Sequence, residues 1–209
     1  MSSTSASIEL EEANISRQAV CANLSHLLSR ATSSPMEMRD EQPELLRVLV
    51  PYLPSPQAIQ TARLADDWAD ALGDREALAL AYTRLFLGPF EILAPPYASF
   101  YLEPDQRIMG PVSQQVARAY ASAGLEPGEG PREAPDHVAA EWEFVYFLTH
   151  HYITTGEMDW LDRRHTFFGN HMTLWLPSLA QAVKKASVHT FYDSLAELLA
   201  TGLELFIEK

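Results

Sequence analysis

Residues 55–73 read SPQAIQTARLADDWADALG, and both ends of the stretch carry helix punctuation. Ser55 offers an N-cap side chain, and Pro56 suits a first helical position, where its missing N–H is not needed. Gly73 stands just past the last turn, where a residue without Cβ closes a helix. Between them Leu64, Trp68 and Leu72 recur every fourth residue on one stripe. The same period extends in both directions. Upstream, Ile8, Ile15, Ala19, Leu24, Leu27 and Leu28 line a first helix that stops at the TSSP turn (32–35), and a second runs over about 43–53, closing at Pro51 and Pro54. Downstream, Asp74 starts DREALALAYTRLFLG (74–88), apolar enough to predict a central, buried helix ending at Gly88 and Pro89. Further helices are predicted over 112–123, from Asp136 to Tyr152, around Trp160, over 167–186 with a kink or restart at Pro177, and over 189–206. Strand alternation is almost absent. The expected fold class is all-α, a single compact multi-helix domain over 1–209.

Bulk properties limit what such a domain does. Of 209 residues 47% are apolar, enough for a sizeable buried core. One cysteine, Cys21, excludes an internal disulfide and a thiolate zinc cluster, which fits a reducing compartment. The first residues have neither the basic nor the apolar region of an export signal, and runs such as LLRVLVPYLP (45–54) are too short to span a bilayer. The expected location is therefore the cytoplasm, without stable membrane insertion. A net charge of -13 repels nucleic acid and anionic lipid and favours a basic partner. The same charge also serves solubility alone.

Two segments break the helical regularity. GPFEILAPPYASFYLEPDQRIMGP (88–111) contains too many prolines for an ordinary helix, yet it is rich in Phe, Tyr, Ile and Leu. A long irregular connection of that kind is either functional or packs its rings over the core. GLEPGEGPREAP (124–135) is polar and Gly/Pro-rich, a hinge through which a monomer could exchange segments into a domain-swapped dimer.

PDHVAAEWEF (135–144) follows that hinge. Asp136 at a helix start complements the positive end of the helix dipole, while His137 and Glu141 lie four apart on one face. A catalytic use would need a nucleophile or phosphate cradle, and no such motif is present. A metal use would need a second matching pair, whereas His150 and His151 are adjacent and point to different sides. A hydrolase or metalloprotein built on Asp136, His137 and Glu141 is thus the weaker reading, with no catalytic residue and no metal ligand assigned.

The ordered set YTRLFLGP, APPYASFYLEPDQRIMG, EAPDHVAAEWEFVYFL, FFGNHMTLWLPSL and FYDSLAELL resembles the TorD/DmsD family of cytoplasmic redox-enzyme maturation chaperones over about residues 74–206. The resemblance implies an all-helical, non-enzymatic chaperone. Its partner would be the catalytic subunit of a molybdopterin oxidoreductase of the dimethyl sulfoxide reductase superfamily, with its twin-arginine leader. Such a chaperone holds back export until the cofactor is inserted. Carried over, the signal-peptide surface comprises Leu85, Phe86, Pro96, Tyr97, Ser99, Gly110, Glu133, Asp136 and His137. The family often has Trp at the position of Tyr97 and Pro at that of Ala134. The resemblance assigns no cofactor to the chaperone itself and leaves guanine nucleotide open. An assembly subunit acting on the mature enzyme without its leader is the alternative.

The side chains suit that function on their own terms. Two guanidiniums followed by an apolar helix-forming stretch call for carboxylates beside an apolar groove. Glu133, Asp136 and Glu141 offer the first; Phe86, Phe90, Tyr97, Phe100 and Tyr101 offer the second if the long loop folds against the helix after Asp136. Asp136 is expected to cap that helix as well.

Overall fold

The computed structural model describes residues 3–88, 91–126 and 133–207, with the backbone alone for 3–16. Phe90 and half of the predicted hinge, residues 127–132, lie outside the described residues, as do the side chains of Ile8 and Ile15. No strand occurs among the described residues. Helix α1 (Ser3–Thr32) lies along α7 (Val138–Thr155), and their shared face buries Leu24, Leu27, Leu28, Trp142, Val145 and Leu148. A second layer forms where α10 (Thr190–Thr201) packs on both α3 (Gln57–Gly73) and α9 (Thr173–Ala186), with α2 (Gln42–Leu49) against α3. Trp68, Trp142, Trp175, Phe168, Phe191 and Phe206 are fully buried in one contiguous core. The short α11 (Glu204–Ile207) follows α10 beyond Gly202.

Several local details depart from the sequence reading. Pro56 rather than Ser55 occupies the N-cap of α3, and no side chain caps that end. Gly73 is the last helical residue instead of the one after it. The stretch 74–88 is not a central helix. Helix α4 (Arg75–Tyr82), capped by Asp74 accepting from the Ala77 N–H at 3.1 Å, buries Leu78 and Ala81 but leaves Leu80 61% exposed. It ends in a π turn (Thr83–Leu87) that turns Leu85 and Phe86 inward and leaves Leu87 outside. Gly88 follows at φ +32°, and a Cβ there would press on the Glu91 carbonyl, which explains the glycine. Helix α8 (Met158–Phe167) runs through a second π turn (Phe168–Met172) into α9 without a break, and Pro177 is accommodated inside α9. The central position falls to α7.

Between the π turn after α4 and α7 the described residues are sparsely helical, as the prolines there require. They form one short helix, α5 (Ala98–Leu102), and then α6 (Pro111–Ser122), whose first residue is a proline.

Candidate functional site

The long loop meets the head of α7 through backbone pairing. Val138 N–H donates to the Pro96 carbonyl at 2.8 Å, and Ala98 N–H donates to the Asp136 carbonyl at 3.0 Å. These bonds make Tyr97 and His137 a one-rung antiparallel bridge, and their rings meet edge to face at 5.3 Å. A further bond, Ala94 N–H to the Leu85 carbonyl at 2.8 Å, ties the loop to the π turn after α4. An irregular loop is thereby fixed at both flanks of its Pro95-Pro96-Tyr97 segment.

Asp136 is the inner staple of this joint. It has no accessible surface; one carboxylate oxygen accepts the Ser99 N–H at 2.8 Å and the other accepts the Ser113 hydroxyl. A single carboxylate thus holds the starts of α5 and α6 to the head of α7. A buried charge is tolerated where such donors satisfy it. Capping is done by the next residue: His137 Nδ1 accepts the Ala139 N–H at 3.2 Å. This corrects the expected role of Asp136. It also sets the tautomer, since an accepting Nδ1 leaves the ring proton on Nε2. Burial lowers the His137 pKa, against the opposing pull of Glu133, Asp136 and Glu37, so the neutral ring that capping needs is favoured.

Glu141 turns away from His137 into the core. Its side chain is fully enclosed, with one oxygen 2.6 Å from His171 Nε2 and the other accepting the Trp175 indole N–H at 3.0 Å. Burial raises its pKa to about 7, although His171 and Trp175 pull the other way. Trp175 in turn stacks on Tyr101 of α5 at 5.8 Å, so Glu141 couples α7 to α9 and to the loop. No His137–Glu141 side-chain contact forms, although the two residues lie four apart: Glu141 is bonded to His171 and Trp175 instead. Among the described residues no group of three or more His, Cys, Asp and Glu is gathered as a metal site requires.

Glu103 and Gly110 close the far end of the loop. Buried Glu103 accepts the Val112 N–H at 2.8 Å, satisfying the first free donor of α6 after Pro111. Gly110 lies flat on that carboxylate: a Cβ there would sit 2.7 Å from Glu103 Cδ and nearer still to both oxygens. The glycine is required by close approach, not by its backbone angles. Two apolar grooves flank α6. One of about 420 Å³ has Val116, Ala119, Phe144 and Phe167 on its walls and His171 in its lining; another, of about 570 Å³, is lined by Ala117, Tyr120, Ala121, Leu125 and Pro135.

Comparison with known proteins agrees with this architecture. Residues 54–181 match the family described as nitrate reductase delta subunit. The chain belongs to that family. Relatives in it include a chaperone protein TorD from Vibrio parahaemolyticus, 28% identical over 135 residues, which are 61% of each chain. A second TorD, from Psychrobacter sp., is 29% identical over 58% of this chain and 57% of its own. A Tat proofreading chaperone DmsD from Salmonella typhi is 24% identical over 69% and 78% respectively. The chain spans about three fifths of the length of the TorD relatives it matches. A solved structure described as a redox enzyme maturation protein from Archaeoglobus fulgidus superposes with a TM-score of 0.55 at 23% identity, covering 88% of this chain and 93% of that one. It shares the fold.

Within this delta-subunit fold the sequence-predicted residues come together, but few of them face outward. Leu85, Phe86, Pro96, Ser99, Gly110, Asp136 and Glu141 are all buried, and His137 is 6% exposed. Tyr97 and Glu133 form the accessible part, the tyrosine hydroxyl donating to the Glu133 carboxylate at 2.9 Å. Burial first, and then this carboxylate, raise the Tyr97 pKa. Tyr82 lies close enough to Tyr97 to influence it electrostatically, and Glu37, from the turn after α1, influences both Tyr82 and His137. Sequence reasoning misses Glu37, Tyr82, Glu103, Ser113, His171 and Trp175, because each reaches the site from another element and leaves no local pattern.

Proposed function

We propose that this chain is a chaperone that acts in the cytoplasm on the catalytic subunit of a molybdopterin oxidoreductase, binding its twin-arginine leader, its apo form or both before export. The observation that carries this reading is the stapled edge. The Pro95-Pro96-Tyr97 loop, bonded to α7, holds Tyr97 and Glu133 at an accessible border. A pre-ordered edge of rings and a carboxylate suits a basic, apolar leader, because little further ordering is needed on binding. The relatives' names, TorD and DmsD chaperones, point the same way. No helix among the described residues is long and apolar enough to cross a membrane.

A role without turnover is supported by the engagement of the three groups on which the hydrolase alternative rests. Asp136 and Glu141 have both oxygens in hydrogen bonds and no accessible surface, and His137 Nδ1 is occupied by a backbone N–H. The chaperone itself uses no cofactor in this reading.

The test is affinity capture of the tagged protein from its native cells grown anaerobically, followed by identification of what it retains. The reading expects the large subunit of a molybdenum enzyme, enriched when cofactor synthesis is blocked. Retention of no such subunit under either condition would contradict it.

A further inference from the structure

The groove of about 420 Å³ on the α8 side of α6 shares no lining residue with the Tyr97–Glu133 edge, and the leader-binding reading makes no use of it. Its volume falls in the range of small-molecule sites, about 300–1,000 Å³. Three rings form one wall: Phe144 meets Phe167 edge to face at 4.9 Å, and Phe167 meets the His171 ring at 5.2 Å. His171 reaches the groove from the π turn Phe168–Met172, an irregularity that recurs at functional sites.

Glu141 lies behind that wall and holds His171 Nε2 at 2.6 Å, so the nitrogen left for a ligand is Nδ1. The His171 side chain is only 11% exposed, yet Nδ1 has no partner among the described residues and is not sealed from solvent. With Glu141 ionised, Nε2 carries the shared proton and Nδ1 is a bare acceptor. One further proton on the pair, wherever it settles, leaves Nδ1 protonated. A protonated Glu141 donates to Nε2 and shifts the ring proton to Nδ1, while an ionised Glu141 faces an imidazolium. The nitrogen in the groove therefore changes from acceptor to donor with a carboxyl that burial raises to about 7.

Other charges are disposed around this pair. Asp136 acts on Glu141 from the head of α7, and Glu141 acts on Tyr120 of α6. Trp175 donates to Glu141 and stacks on Tyr101 of α5. Helix α1 brings His26 to Glu143 at 3.5 Å, and α11 meets the π turn through Phe206. Across the groove, α8 contributes Asp159, Asp162 and Arg163 to the lining. Arg163 is already engaged, by Asp159 at 2.6 Å and by the Ser122 carbonyl at 2.8 Å. The lining thus combines aromatic faces, two carboxylates and an accepting nitrogen, a set that suits a ring bearing positive charge and an N–H.

We propose that this groove is a binding site for a flat aromatic cation, whose ring lies against Phe144 and Phe167, whose N–H donates to His171 Nδ1 and whose charge faces Asp159 and Asp162. Binding is coupled to loss of one proton from the Glu141–His171 pair. The inference stands apart from the leader-binding reading and survives or fails without it.

The test is calorimetric titration of benzamidine into the full chain, with neutral benzamide and anionic benzoate as matched controls. Each titration is run in two buffers of different ionisation heat, which counts the protons released. Benzamidine should bind one to one and tighten about tenfold between about pH 6 and pH 8. It should release about nine-tenths of a proton at the lower pH and about one-tenth at the higher, as linkage to a group titrating near 7 requires. Benzamide and benzoate should bind at least about tenfold more weakly, the effect of losing one charge-assisted contact. Ala119→Leu, which fills the groove, and Thr166→Trp, which blocks its mouth, should each abolish binding in protein of unchanged helical circular dichroism. His171→Gln should weaken binding and remove the proton release. No benzamidine binding at millimolar concentration, equal binding of all three probes, or wild-type affinity in both groove-blocking variants would each overturn the proposal. Proton release that persists in His171→Gln would overturn the coupling.

Discussion

Replacing Asp136 by alanine removes the acceptor of two donors at once, the Ser99 N–H at 2.8 Å and the Ser113 hydroxyl. Neither donor gains water, because Ser99 and Ser113 are buried with it. A buried donor left unpaired costs about 1–3 kcal/mol, and the Ser113 hydroxyl can rotate toward a backbone carbonyl, so the sum is about 2–5 kcal/mol. Asp136→Asn keeps an oxygen for Ser99 and turns an amide toward Ser113, whose hydroxyl can accept, at about 1 kcal/mol. A residue that merely caps a helix gives a different pattern: Asn nearly silent and Ala about 0.5–2 kcal/mol. Urea unfolding of both variants and of Ser113→Ala, alone and combined with Asp136→Ala, separates the two cases. The staple predicts a coupling of about 1 kcal/mol or more between Asp136 and Ser113. An Asp136→Ala loss under about 0.5 kcal/mol, or strict additivity with Ser113→Ala, would refute the staple.

Gly110→Ala should cost about 1–3 kcal/mol, because the new methyl displaces the Glu103 carboxylate from the Val112 N–H; in a Glu103→Ala background the same substitution should cost under about 0.5 kcal/mol by thermal or urea unfolding. Glu141 gives a pH signature. Its folded pKa of about 7 lies above the ordinary carboxyl value, so the stability it contributes is complete below about pH 4 and is lost as pH rises through 7. The wild type should lose up to about 3 kcal/mol from this group between pH 4.5 and 8. In Glu141→Gln that loss should be absent; an unchanged pH profile of melting temperature in the variant would show that another group governs the window.

The all-α fold is legible because helical stripes such as Leu64 and Trp68, both buried, survive any tertiary arrangement. The place of each helix is less legible. The apolar run over 74–88 overstates its burial, since Leu80 and Leu87 face outward while α7, with Glu141 and Glu143 in its first two turns, takes the centre. The π turns at 83–87 and 168–172 leave no periodic trace. In PDHVAAEWEF the helix start is plain, but the division of labour at it is not. Asp136 bonds to Ser99, 37 residues away, and Glu141 to His171, 30 residues away. Proximity in sequence pairs Glu141 with His137; the inward turn of α7 pairs it with α9. The loop's rings, by contrast, do signal that it packs on the protein, as Tyr101 on Trp175 illustrates.

The central claim is that the edge formed by Tyr97, Glu133 and the loop stapled to α7 binds a basic leader. It is tested most directly by titrating a twin-arginine leader peptide into the wild-type chain at low and high salt. The account predicts one-to-one binding that weakens as salt screens the guanidinium–carboxylate contacts, and a marked loss when the peptide's arginines are both replaced by glutamine. Folded protein that takes up no peptide, or that binds the Arg-Arg and Gln-Gln peptides alike, would contradict it.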